Sequence, residues 1–148
     1  MSKTILVAVD GSNHSKKALQ LACELASKLG GILHLLHVAQ APNKDRTLVL
    51  GGAAITIHAS PQELEKAGRK VMDSAAAIAK ENGCTRVESN LDTSGGDPAK
   101  VIVDKAKSID ADMIVMGTRG LSDLSGLMVG SVSHKVNHLA PCTCVTVR

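Results

Sequence analysis

The stretch "TILVAVDGSNHSKKALQLACELASKLGG", residues 4–31, decides the fold. Its opening "TILVAV" is an apolar run that ends at Asp10-Gly11-Ser12. Ala18, Leu21, Ala22, Leu25 and Leu29 then recur at helical spacing, and Gly30-Gly31 stops the helix. A strand apolar on both faces that leads into an amphipathic helix is the first half of a βαβ unit, in which helices cover a parallel sheet.

The same alternation continues to residue 148. "ILHLLHV", 32–38, is a second apolar strand. Ser60-Pro61-Gln62-Glu63 opens a second helix with an N-cap Ser, Pro at the first helical position and Glu three residues after the cap. Leu64, Ala67, Val71, Ala75 and Ile78 form its buried face, and Gly83 ends it. In "RVESNLDT", 86–93, Val87 and Leu91 face one way and Glu88, Asn90 and Asp92 the other, the pattern of a half-exposed edge strand. Asp97-Pro98 caps a third helix with Val101, Ile102, Ala106 and Ile109 inward. "ADMIVM", 111–116, is a fourth, fully apolar strand. A last helix starts near Ser131 and ends at Ala140-Pro141, and "CTCVTVR" closes the sequence as an edge strand with Thr143, Val145 and Val147 on one face. Right-handed crossovers then give one α/β domain over 1–148: a five-stranded, parallel, open twisted sheet of order 3-2-1-4-5 with helices on both faces. In such a sheet ligands bind at the C-terminal ends of strands one and four, where the winding reverses. Asp10 and Gly117 stand there.

Composition narrows the function. The chain carries 17 basic and 14 acidic side chains, a net charge of +3, without a basic run. It has no Phe, Tyr or Trp, so it lacks the stacking platforms that hold single-stranded nucleic acid, and nucleic acid is not an expected partner. The first apolar run is too short for a signal peptide, and no segment approaches the roughly 20 apolar residues that span a bilayer. Cys142 and Cys144 lack the two-residue gap of zinc and redox motifs; with Cys23 and Cys84 they read as reduced thiols of a cytoplasmic protein.

Residues 117–136, "GTRGLSDLSGLMVGSVSHKV", hold the chemistry. Gly117 and Gly120 turn the chain after the fourth strand, and Gly130 precedes a helix that begins at Ser131. Backbone amides without side-chain bulk, next to a helix N-terminus, suit a phosphate chain. Ser131 and Ser133 add hydroxyls and Arg119 a cation. The spacing is neither a P-loop nor the Rossmann pattern.

Gly117, two residues, Gly120, nine residues, then Gly130-Ser131 matches the G-x₂-G-x₉-G-[ST] signature of ATP-binding universal stress proteins. "AVDGS" at 8–12 and "LLHV" at 35–38 also resemble that family, and the likeness covers the whole length. The resemblance implies an adenine nucleotide α-hydrolase-like fold and a cytoplasmic, ATP-binding regulatory protein of the stress response. It places Asp10 at the ribose and any bound Mg²⁺, Ala8 and Val9 along the pocket, and Val38 at adenine through its backbone. Met116, Gly117, Arg119 and Gly120 border ribose and phosphates, and Gly130, Ser131, Val132 and Ser133 grip the phosphate chain. It also implies a homodimer through residues 143–147.

Other readings stay open at this level. Asp10 can instead be a turn or cap for the first helix, and Val38 and Met116 can be plain core. His34 and His37 fall on opposite faces of a strand and cannot share a metal. His134 and His138 share a helical face that reads as solvated. "SGGD", 94–97, reads as a turn and cap. Residues 42–59, with Gly51-Gly52 and "AAITI", are a flap over the ligand, a surface loop or disorder. Slow ATP hydrolysis or autophosphorylation on Ser131 or Ser133 ranks below binding, since Asp123 is the only carboxylate expected near the phosphates. A nucleotide-free interaction protein is the third possibility.

Overall fold

The computed structural model describes residues 2–39, 46–50, 53–57, 60–118 and 131–148, with backbone alone at 46–50 and 53–57. The sheet strands are β1 (Thr4–Ala8), β2 (Ile32–Val38), β5 (Val87–Asp92), β6 (Met113–Gly117) and β7 (Thr143–Val147). They lie in the order β5-β2-β1-β6-β7, all parallel, which is the order read from the sequence once a hairpin is inserted after β2. That hairpin is the main departure. Within the stretch read as flap or loop, β3 (Arg46–Leu50) and β4 (Ala53–Ile57) pair antiparallel, Leu50 opposite Ala53. The sequence signal was Gly51-Gly52, a residue pair that two-residue hairpin turns favour.

The helices are α1 (Asn13–Leu29), α2 (Pro61–Glu81), α3 (Pro98–Ser108) and α4 (Ser131–Leu139). Alternate residues of β1 feed two cores. Ile5, Val7 and Val9 pack with Ala18, Leu19, Ala22, Cys23, Leu33 and Leu35 under α1 and α2. Leu6 packs with Leu36, Ile102, Ala106, Ile114 and Val136 under α3 and α4. Burial of a side chain such as Leu6 or Leu35 contributes about 1.5–3 kcal/mol, so the two layers hold the sheet from both sides. None of the described helices is long and apolar enough to cross a membrane.

Local signals act largely as their residues suggest. Ser60 Oγ accepts from Glu63 N–H at 3.2 Å, and Glu63 Oε2 accepts from Ser60 N–H at 3.3 Å, a complete capping box on α2. Gly30 ends α1 at φ +60°. Asp97 occupies the N-cap position of α3 without a side-chain capping bond, its carboxylate lying 3.8 Å from Lys135 Nζ of α4. The buried faces are rotated slightly from the sequence reading. In α1 the stripe is Ser15, Ala18, Leu19, Ala22, Cys23 and Ala26, while Leu29 is 45% exposed in the last turn, where the chain reverses into β2. In α2 it is Gly68, Met72, Ala75 and Ala79, and Ala67 is exposed. Small residues mark the closest approaches: a Cβ on Gly68 would lie 2.7 Å from Leu91 Cδ1.

Candidate functional site

Three pieces of chain meet beyond the C-terminal ends of β1 and β6, neighbours at the point where the winding reverses. The first is the turn after β1. Gly11, at φ +84°, lets the chain bend there. Asp10 Oδ1 accepts from Ser12 N–H at 2.9 Å, and Asp10 N–H donates to Ser15 Oγ at 3.0 Å. Ser12 Oγ in turn accepts from Ser15 N–H at 3.2 Å, which caps α1. Asp10 is thus a turn residue, as the plainer reading held, and the turn orients its half-buried carboxylate.

The second piece is the end of β6. Gly117 lies so close to α1 that an added Cβ would stand 2.8 Å from His14 Cβ and 2.9 Å from the His14 carbonyl carbon. Thr118 N–H continues the pairing to Val147 O at 2.9 Å, and Thr118 Oγ1 lies 3.3 Å from His14 Nδ1. The third piece is the start of α4. Ser131 is exposed, Val132 half-buried, and Ser133 only 2% exposed. The Ser133 hydroxyl, expected to face phosphate, donates to Thr118 O at 3.1 Å. One turn into α4 it faces β6, so it ties the helix to the strand.

Thr118 therefore joins α1, β6 and α4. Neither it nor His14 stands out in the sequence, because their partners are distant in the chain.

Ala8 is half-buried at the end of β1, and Val9 is 5% exposed in the core below α1 and α2. Met116 and Val38 both pack in the α3–α4 core, so the packing role holds for their side chains. The backbone of Val38 is another matter. Val9 N–H bonds to Leu36 O at 2.9 Å, and Ala39 N–H bonds to Asp92 O at 2.8 Å. In a parallel strand these directions alternate, so even-numbered residues of β2 present N–H and C=O toward β1 and odd-numbered ones toward β5. The β1–β2 register ends at Ala8 opposite Leu36. Val38, one step on, turns its main-chain donor and acceptor toward the space beyond β1.

Arg119, Gly120, Asp123 and Gly130 lie outside the described residues. Among those described, no group of three or more His, Cys, Asp and Glu is placed to hold a metal. His134 and His138 are exposed along α4. "SGGD" forms a turn in which Asp92 Oδ1 accepts from Ser94 N–H at 3.1 Å and Ser94 Oγ at 2.6 Å. The groove of about 580 Å³ beside it, between β5 and α3, is open and self-paired, with Lys100 bonded to Asp104 and Lys105 to Asn90.

His34 is 8% exposed on β2, and its Nδ1, buried, makes no hydrogen bond among the described residues. Glu88 Oε2 stands 3.5 Å away, near enough for a charge effect. Burial pushes the imidazole pKa down, Glu88 pulls it up, and Lys105 lowers it further; the net shift is downward. The unfolded chain then binds the proton more readily than the native one, so stability present at pH 7 is lost as pH falls below about 6.5. Replacing His34 by Leu is expected to flatten that acid loss. Urea titrations of both proteins between about pH 5 and 7 check this; parallel pH slopes would refute it.

The model of the universal stress protein family matches residues 1–148. The chain belongs to that family. It is 36% identical over 151 residues to the universal stress protein YxiE of Bacillus subtilis, covering all of both chains. It is 39% identical over 148 residues to a universal stress protein of Thermus aquaticus, again over both full lengths. Among solved structures, a universal stress protein from Archaeoglobus fulgidus superposes with a TM-score of 0.74 at 24% identity, covering 100% of this chain and 95% of the other, a likeness of fold. The universal stress protein from Archaeoglobus fulgidus in complex with dAMP gives 0.72 at 25% identity, covering 99% and 98%.

Proposed function

We propose that this universal stress protein is a binding protein for an adenine nucleotide, ATP with Mg²⁺, and acts in the cytoplasm as a nucleotide-dependent dimeric switch in the stress response. The observation that carries the reading is the meeting of the Asp10 turn, the end of β6 and the N-terminus of α4 beside the outward-facing backbone of Val38. A neighbouring N–H and C=O on one residue match the acceptor and donor on the edge of adenine. Asp10 Oδ1 is held by Ser12, so Oδ2 is the oxygen we assign to a ribose hydroxyl or the cation. The first turn of α4, at Ser131 and Val132, receives phosphate, with Ser133 as the anchor of that helix. Gly117 brings α1 and β6 together, and Arg119, Gly120 and Gly130 complete the phosphate cradle through the sequence signature. The dAMP complex of the Archaeoglobus fulgidus relative supports the class of ligand. The dimer forms through β7, an edge strand with β6 on one side.

The chain has no Trp, Tyr or Phe, so adenine retained through purification dominates its near-ultraviolet spectrum. ATP-Mg²⁺ at about a hundred times its dissociation constant is expected to add roughly 2.7 kcal/mol of stability, a rise of several degrees in melting temperature. Asp10→Asn keeps an acceptor for Ser12 while removing the charge, and should weaken ATP-Mg²⁺ binding with little change in the unliganded melting temperature. A chain that purifies without nucleotide and shows no thermal shift with ATP-Mg²⁺ is instead an interaction protein. Release of ADP or labelled protein on incubation would move it to the enzymes.

A further inference from the structure

His37 belongs to β2, one residue before Val38, and its ring points to the α2 side of the sheet: a Cβ on Gly68 would lie 3.6 Å from His37 Cδ2. Its Nδ1 lies 2.6 Å from Val9 O. A carbonyl only accepts, so the ring carries its proton on Nδ1 and donates. The acceptor matters. In a regular parallel ladder the rung after Val9 N–H to Leu36 O runs from Val38 N–H to the same Val9 O. The imidazole bonds to Val9 O at the place where this rung would end, and the β1–β2 pairing stops at Ala8 opposite Leu36. Val9 is joined directly to Asp10, whose own N–H is fixed by Ser15 Oγ. A side chain of β2 therefore holds the end of β1 where the chain turns off into the site.

We infer that His37 is a positioning residue that ends the β1–β2 ladder one rung early, keeping the main-chain edge of Val38 open for the base while it steadies the Asp10 turn. The role in base binding rests on the nucleotide reading above; the role in the ladder does not. Leucine at 37 fills similar space but cannot donate, so Val38 N–H is left to close onto Val9 O. Asparagine carries its amide nitrogen at the position of Nδ1 and can restore the donor.

Two measurements separate the claims. In the ligand-free protein, nitrogen-15 spectra should show the Nδ1–H tautomer of His37, and the Val38 amide should exchange rapidly. His37→Leu should slow that exchange, and His37→Asn should return it toward the native rate. With ATP-Mg²⁺, titrations of folded protein should show His37→Leu binding roughly tenfold more weakly, the size of one good hydrogen bond. Its preference for ATP over GTP should shrink, and His37→Asn should recover both. An Nε2–H tautomer, or a Val38 amide whose exchange is the same in native protein and His37→Leu, overturns the inference. Changed exchange in a chain that binds no nucleotide supports the ladder role and refutes the nucleotide reading alone. Nucleotide affinity and selectivity unchanged in His37→Leu, alongside tight native binding, overturns the role in base binding.

Discussion

Gly117→Ala is expected to lower the melting temperature by roughly 3–10 °C, the effect of about 1–3 kcal/mol of overpacking in a domain of this size. The new methyl carbon would stand 2.8 Å from His14 Cβ, 2.9 Å from the His14 carbonyl carbon and 3.1 Å from Ser15 N. Two of these are backbone atoms in the first turn of α1, and they cannot swing aside as a side-chain tip can. Moving them strains the Ser12 cap and the bond from Asp10 N–H to Ser15 Oγ. Relief of the clash therefore displaces the Asp10 turn, and nucleotide affinity should fall together with stability. The φ of Gly117 lies outside the left-handed range, so the cost is steric. Calorimetry checks the first half and ATP titration of the folded variant the second. A melting temperature within a degree of the native one would mean that α1 and β6 are not in contact at Gly117.

Cys23 should resist alkylation in the native protein by about three orders of magnitude in thiolate population relative to an ordinary thiol. Its side chain is fully buried in the core below α1 and α2. Burial, then the neighbouring Cys84, push its pKa from 9.0 up to about 12. Since the thiolate is the nucleophile, little of the reactive form exists near pH 8, and what exists is shielded. Cys142 and Cys144 are half-buried and their pKa values are also raised, chiefly by burial, yet they should be labelled well before Cys23. Timed iodoacetamide labelling with peptide mass analysis, native and in guanidinium, checks the order. Cys23 labelled as fast as Cys142 in the native protein would show that α1 opens readily from the sheet.

Much of the fold could be read in the residues. Apolar runs at 4–9, 32–38 and 111–116, short and bounded by turn residues, read as strands buried on both faces, and the alternating 87–92 as an edge. The helix faces were less legible because positions of closest approach are occupied by small residues. Ser15, Gly68 and Ala99 are buried there, whereas periodicity counts mainly large apolar side chains and so favours Leu29, which is exposed. The antiparallel pair β3 and β4 is the part of the fold that residue pattern left open, since 42–59 equally suits a flap or a surface loop.

By itself, the sequence determined the α/β architecture, the strand order and the place of the crevice, because hydrophobic period and crossover handedness are local or generic rules. It also contained the glycine signature and Asp10. Only the tertiary structure decided that Thr118 joins His14 to Ser133, that the Ser133 hydroxyl is spent within the protein, and that His37 ends a ladder at Val9. Thr118 is separated from His14 by 104 residues, and His37 from Val9 by 28. Hydrogen bonds across such distances in the chain depend on register and on which way each backbone group points, and no pattern of residue types carries that information.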